Sequence, residues 1–201
     1  MIDAVLDLSH HNANVDFATL KASGVIGVIH KATQGATNAD DRYASRRAAA
    51  LNAGLLWGAY HFGTNADPTA QADHFLAVVN PGPQDLLVLD FEQNAAGQMS
   101  LAQAERFATV VNARVGRWPG LYSGNSFLNE QIVAPNATLI NCWLWLARYG
   151  PSQPTPPPGW TTWTMWQYTE SGSAPGVGGA VDRNRFNGDE AGLRRLWGAG
   201  D

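Results

Sequence analysis

Apolar residues fall along this chain in two regimes. Over the first two thirds, short aliphatic and aromatic runs alternate with segments whose apolar positions recur every three to four residues. The runs are AVLDLS (4–9), VIGVIHKA (25–32), LLWGAYHF (55–62), LLVLDFE (86–92) and PGLYSG (119–124). Their length and their bounding Gly, Pro and Asp residues read as strands. Helix punctuation lies between them. Asp16 caps a short helix that ends at Gly24, and Asp40 or Asp41 a longer one that ends at Gly54. Asp67 precedes Pro68, which suits a first helical position, with Phe75, Leu76 and Val79 on one side. Ser100 and Gln103 form a capping box, followed by Leu101, Ala104, Ala108, Val111 and Val115 on one face.

This β-α-β-α rhythm predicts parallel strands joined by crossover helices. It changes after about residue 135. CWLWLARYG (142–150), WTMWQYT (163–169) and AVDRNRF (180–186) read as strands, but PSQPTPPPGW and ESGSAPGVGG between them cannot hold helices. The prediction is an α/β fold: an irregular TIM-like barrel of eight strands, with crossover helices after the first five, (β/α)5(β)3. A complete barrel of this kind takes about 250 residues. Losing three outer helices accounts for a length of 201, so residues 1–201 are expected to form one domain.

Composition narrows the function. The net charge is −4 and Lys and Arg form no run, which argues against a nucleic-acid partner. No apolar run reaches the length of a membrane span. The N-terminal MIDAVLDLSHHN lacks the basic and long apolar regions of a signal peptide. The only cysteine, Cys142, lies in an apolar run and reads as a small core residue.

Within LLVLDFE, alternation puts Val88, Asp90 and Glu92 on one face and Leu87, Leu89 and Phe91 on the other. In a barrel the first set points inward. A charge deep inside would be costly, but at the C-terminal mouth it meets solvent and substrate. Asp7 lies near the end of the first strand and Asp182 in the last. Barrel closure makes those two strands neighbours, so four acids converge on one mouth. A D-x-E alone is common. Four crowded carboxyls are more telling, because each raises the others' pKa and helps keep a general acid protonated. With aromatic residues nearby, the pattern points to glycoside hydrolysis.

Tyr60, Trp143, Trp145, Tyr149, Trp163, Trp166 and Tyr168 lie on or beside strand ends. Trp143 and Trp163 read as core, whereas Trp145 and Trp166 suit either core or a sugar-stacking wall. Gln167 or Asn184 can hydrogen-bond hydroxyls and acetamides. His10, His11, His30, His61 and His74 show no metal-binding spacing, and no G-x-S-x-G elbow or phosphate-binding loop is present. No metal or cofactor is expected.

With these residues assembled, the chain resembles glycoside hydrolase family 25, the Chalaropsis-type lysozymes (N-acetylmuramidases), nearly end to end. LDLSHHN (6–12) is similar to that family's opening motif, HKATQG (30–35) to its K-A-T-E-G, and NAGLLWGAYHF (52–62) to its A-G-x-x-x-G-A-Y-H-F. AQADHF (70–75), LDFE (89–92) and WQYTESGSAPGVGGAVDRNRFNG (166–188) continue the match. The resemblance implies a muramidase cleaving the β-1,4 bond between N-acetylmuramic acid and N-acetylglucosamine. Glu92 would be the general acid/base. Asp90 would stabilise positive charge or position the substrate acetamide, and Asp7 and Asp182 would complete the acidic cluster. Tyr60 would line the site and hydrogen-bond near the cleaved sugar, with Trp166 and Gln167 as part of the sugar-binding wall; Trp145 and Tyr149, from the aromatic residues at strand ends, are further substrate-binding candidates. Two positions depart from the pattern: Gln34 stands where the family usually has Glu, and Asn12 where many members have Gln. The loss of charge at Gln34 bears on groove binding or on the cluster's ionisation.

Residues i and i+2 of one strand are about 6.5 Å apart at Cα, which leaves both hydrolytic geometries open: carboxyls about 5–5.5 Å apart for retention, about 6.5–9.5 Å for inversion. Neighbouring-group assistance by the substrate acetamide is a third path, and the reading favours retention through it. The competing readings are a chitinase-like hydrolase and a non-catalytic wall-binding barrel. QDLLVLDFE (84–92) has Leu and Val where a chitinase motif has Gly and a further acid. The expected partner is bacterial peptidoglycan, met by a monomer that does not insert into membrane. As a phage endolysin it would wait in the host cytoplasm before reaching the wall; otherwise it would act outside the cell or in the periplasm.

Overall fold

The computed structural model describes residues 1–199. In chain order its elements are β1 (Ile2–Leu8), α1 (Phe17–Ala22), β2 (Gly27–Gln34), β3 (Asn38–Ala39), α2 (Tyr43–Asn52), β4 (Leu56–Phe62) and α3 (Pro68–Val79). There follow β5 (Leu86–Asp90), α4 (Leu101–Val115), β6 (Gly120–Gly124), α5 (Asn125–Gln131), β7 (Leu144–Ala147), β8 (Met165–Gly172), β9 (Val181–Phe186) and α6 (Glu190–Leu196). The sheet runs β1-β9-β8-β7-β6-β5-β4-β2, and β1 also pairs with β2, closing an eight-stranded barrel. The two-residue β3 is a hairpin partner of β2 outside the ring. The predicted α/β barrel with five crossover helices is therefore the observed architecture.

Local chemistry explains the helix starts. The Asp16 carboxylate accepts from the Ala18 and Thr19 amides, and Asp67 from Ala70 with Pro68 opening the helix. Ser100 and Gln103 form the full capping box. The start of α2 differs from expectation. Its N-cap is Arg42, which makes no side-chain cap bond, because Asp40 uses its carboxylate on the Arg42 amide and on His10.

Two features depart from the sequence reading. The first is α6, capped by Asp189. It carries Leu193 and Trp197 into the inner core, and the Trp197 indole donates to the Trp57 carbonyl at 2.9 Å. A side chain at Gly27, the first residue of β2, would meet that indole at 3.2 Å, so the helix stoppers the end of the barrel opposite the mouth. The second is the direction of β9. It runs antiparallel to both β8 and β1, while the other pairings of the ring are parallel. The Gly-rich segment before it is too short for a crossover, so it turns the chain straight back.

The core has two layers. Leu87, Leu89 and Phe91 belong to the cluster between strands and helices, and Val88 to the cluster inside the ring, as the alternation predicts. Cys142 is buried, and burial pushes its thiol up to about 12. His30 and His61 are buried and lowered to about 4 by desolvation, so both are neutral. Among the described residues no helix is long and apolar enough to cross a membrane.

Candidate active site

A pocket of about 250 Å³ opens at the C-terminal ends of the parallel strands. Asp7, Tyr60, Asp90, Glu92, Tyr122, Trp145, Tyr149, Gln167, Glu170 and Asp182 line it, so each of the four acids singled out in the sequence is present.

Strand register explains their convergence. Asp7, the penultimate residue of β1, pairs with Asp182 near the start of β9. The reversal of β9 is what brings a strand-start residue to the mouth. Asp90 is the last residue of β5, aligned with Phe62 on one side and Tyr122 on the other. Beyond it the chain stays extended, with the Phe91 amide donating to the Tyr122 carbonyl at 2.9 Å. That bond carries the alternation two residues past Asp90 and turns Glu92 inward.

Asp7 is the best-anchored carboxyl. Gln167 Nε2 donates to both its oxygens, at 3.1 and 3.0 Å, and Asn184 Nδ2 donates to Oδ2 at 2.8 Å. Burial pushes its pKa up, while these donors favour the carboxylate. Asp182 is pushed up to about 9, first by burial and then by the Asp7 charge and their shared hydrogen bond. Asp7 and Asp182 thus titrate as a coupled pair that keeps a proton at neutral pH, with Asp182 as its donor.

Asp90 is buried, and its Oδ1 has no hydrogen-bond partner among the described residues. Desolvation raises it well above the usual carboxylate range, the Glu92 charge adds to this, and Lys31 opposes it. Glu92, half-buried, is raised by desolvation and by Asp7 and lowered by Lys31. The two form a coupled pair that holds a proton well above ordinary carboxyl pH. A carboxylic acid kept protonated beside an ionised carboxylate is what acid-assisted cleavage of an acetal requires.

The aromatic residues frame this cluster. Burial and the surrounding carboxylates keep the Tyr60 and Tyr122 phenols protonated. Gln167 Oε1 accepts from the Tyr122 hydroxyl at 2.9 Å and the Tyr149 hydroxyl at 3.3 Å. Trp145 Nε1 donates to Asn184 Oδ1 at 2.8 Å, and its ring meets Tyr122 edge-on at 4.7 Å. Tyr149 is 52% exposed and offers an open ring face beside the pocket.

Three sequence-selected residues do not line this pocket. Trp166, 1% exposed, points into the outer layer, where its indole donates to the Arg148 carbonyl and packs on Trp163. Its neighbour Gln167 takes the inward position on β8, so the two cannot share the wall. Gln34 lies in an adjoining hollow with His10, Lys31 and Asp40. Asn184 is 0% exposed and occupied by Asp7 and Trp145, which removes it as a direct partner for substrate hydroxyls.

Sequence reasoning missed Tyr122, Glu170 and Lys31. Tyr122 was findable: PGLYSG is the strand after LLVLD, and aligning the two strand ends sets Tyr122 beside Asp90. Glu170 and Lys31 give no such signal.

The chain matches the family model described as glycosyl hydrolases family 25 over residues 6–177. It is 36% identical to lysozyme M1 of Streptomyces globisporus, an alignment covering 95% of this chain and 70% of that protein. It is 30% identical to the N,O-diacetylmuramidase of Chalaropsis sp, covering 88% of this chain and 94% of that one. The crystal structure of a bacterial lysozyme from Streptomyces coelicolor superposes with a TM-score of 0.88 at 34% identity, covering 99% of this chain and 98% of that one. A match of this extent, on a barrel that carries the D-x-E acids at its mouth, makes the chain a member of family 25 of the glycosyl hydrolases.

Proposed function

We infer that the protein is a lysozyme-type peptidoglycan hydrolase that cleaves the β-1,4 bond between N-acetylmuramic acid and N-acetylglucosamine, with Glu92 as general acid/base. The hydrolase reading follows from the family and from relatives named as lysozymes and muramidases. The residue roles rest on one observation above all: Asp90 and Glu92 line the same pocket at the mouth, and burial raises both carboxyls above their ordinary range.

In this mechanism Glu92 delivers its proton to the leaving sugar oxygen as the glycosidic bond breaks. Asp90, with an unpartnered buried oxygen, accepts the N–H of the substrate acetamide, which favours its carboxylate and leaves the pair's proton on Glu92. Its charge turns the acetamide oxygen toward the anomeric carbon and balances the positive charge that grows there. The acetamide oxygen closes on that carbon. The Glu92 carboxylate then takes a proton from the water that reopens the ring, so configuration is retained. Asp7 and Asp182 share a proton throughout, and Tyr60 donates its hydroxyl near the cleaved sugar. Tyr149 presents ring surface to the glycan, and the buried Trp145 backs the wall from within the barrel.

One chain supplies every carboxyl of the site, which suits action as a monomer. The substrate lies in the bacterial wall, reached either by release from a lysing host or by export. Mass spectrometry of purified peptidoglycan after digestion tests the bond assignment. Reducing-end N-acetylmuramic acid is expected. Reducing-end N-acetylglucosamine would mean a glucosaminidase, and wall binding without fragments would mean a sugar-binding barrel.

A further inference from the structure

A regular strand sends residues i and i+3 to opposite faces. On β2, Lys31 and Gln34 nevertheless meet, with Lys31 Nζ donating to Gln34 Oε1 at 2.7 Å. The reason is a bulge. Register against β4 jumps between Lys31, opposite Tyr60, and Thr33, opposite His61. Ala32 is buried in the outer core, and Thr33 bonds the outward-facing His61 at 2.7 Å, so two successive residues face outward. Lys31 and Gln34 are both left at the mouth. Bulges beside active sites re-aim side chains in this way.

The pairing has an electrostatic consequence. Lys31 is half-buried, its ammonium lies 4.9 Å from the Phe62 ring centre, and Phe62 is the register neighbour of Asp90. Among the described residues Lys31 makes no ion pair. Its one side-chain partner is a neutral amide, which fixes the ammonium without cancelling its charge. The charged groups facing it are Asp90 and Glu92 from β5 and its extension, and Asp40 from beyond β3, which is already engaged by His10. Asp90 and Glu92 in turn face Asp7 of β1, and Tyr60 of β4, Tyr122 of β6, Tyr149 beyond β7, Glu170 of β8 and Asp182 of β9 share their pocket.

We propose that Gln34 is a positioning residue that aims the Lys31 ammonium at Asp90 and Glu92 while leaving its positive charge uncancelled. The inference rests on the catalytic reading of those two acids. A Glu at this position would form an ion pair with Lys31, and Asp90 and Glu92 would lose most of the cation's field. Gln34 is thus a device that sets the pH range of the site.

The test measures two things for wild type, Gln34→Glu and Lys31→Met: the pH dependence of kcat/KM on soluble peptidoglycan fragments, and the carboxyl ¹³C titration of Asp90 and Glu92. Cancelling or removing a nearby positive charge disfavours the carboxylate. Both variants should therefore move both titrations and both limbs of the rate profile to higher pH, by about one unit. A Gln34→Glu profile and titration that coincide with wild type would overturn the proposal, whether or not Lys31→Met shifts. If the titrations shift while even wild type releases no fragments, the electrostatic inference stands and the muramidase reading falls.

Discussion

Asn184 donates its side-chain amide to Asp7 Oδ2 at 2.8 Å and accepts the Trp145 indole N–H on its own Oδ1 at 2.8 Å. One residue thereby ties a carboxylate of the site to an aromatic wall. With Gln167 on the other side, it makes Asp7 an anchored acceptor, and this is why the shared proton belongs to Asp182. Asp90, by contrast, has a free oxygen. The four acids divide into a satisfied pair and an available pair.

Asn184→Ala should orphan both the Trp145 indole and one Asp7 oxygen. The expected loss is about 1–3 kcal/mol of stability by urea unfolding, with kcat/KM lower by about tenfold to hundredfold as the wall and Asp7 shift. Unchanged kinetics would separate this network from the chemistry.

Asp182→Asn should stabilise the fold in a pH-dependent way. The folded carboxyl titrates at about 9 against an ordinary 3.8, so folding retains a proton that the unfolded chain gives up. Wild-type stability on this account falls as pH rises from about 4 toward 9. The variant escapes that loss. Its melting temperature should exceed that of wild type at pH 8, and the difference should close near pH 3; a difference constant with pH would contradict the assignment.

Asp90→Asn should lower kcat by about 10²–10³ with KM little changed, since an amide cannot balance developing positive charge. Glu92 would also lose a repelling neighbour and ionise at lower pH. The alkaline limb of the rate profile should move down. Movement upward would mean that the two do not share a proton.

Trp166→Ala should act on stability rather than on substrate. A buried indole in the outer layer costs about 3–5 kcal/mol to remove. KM of the folded fraction should stay near wild type, whereas a rise in KM with unchanged unfolding would return Trp166 to the sugar-binding wall.

Trp166 also shows where the sequence stops being informative. On β8, Trp166 and Tyr168 alternate with Met165 and Gln167, and a barrel strand is covered on both faces, so hydrophobicity does not say which set points inward. On β5 the same alternation was decisive, because Asp90 and Glu92 can be tolerated only at the mouth. The short aliphatic runs and helix caps made the ring and its five crossovers legible. The reversal of β9 follows from the length of its loop, yet strand composition gives no hint of direction. The bulge at Ala32 and Thr33 is a register event, visible only once β4 lies alongside, which is why Gln34 was found and its partner Lys31 was not.

The central claim is that Glu92 supplies the proton that breaks the glycosidic bond. The most direct test compares the turnover of wild type and Glu92→Gln on purified peptidoglycan, with folding matched by circular dichroism. The amide keeps the shape but has no proton to give, so kcat should fall by about 10²–10⁴ while KM and the melting temperature hold. A variant that turns over at the wild-type rate would show that the acid is elsewhere.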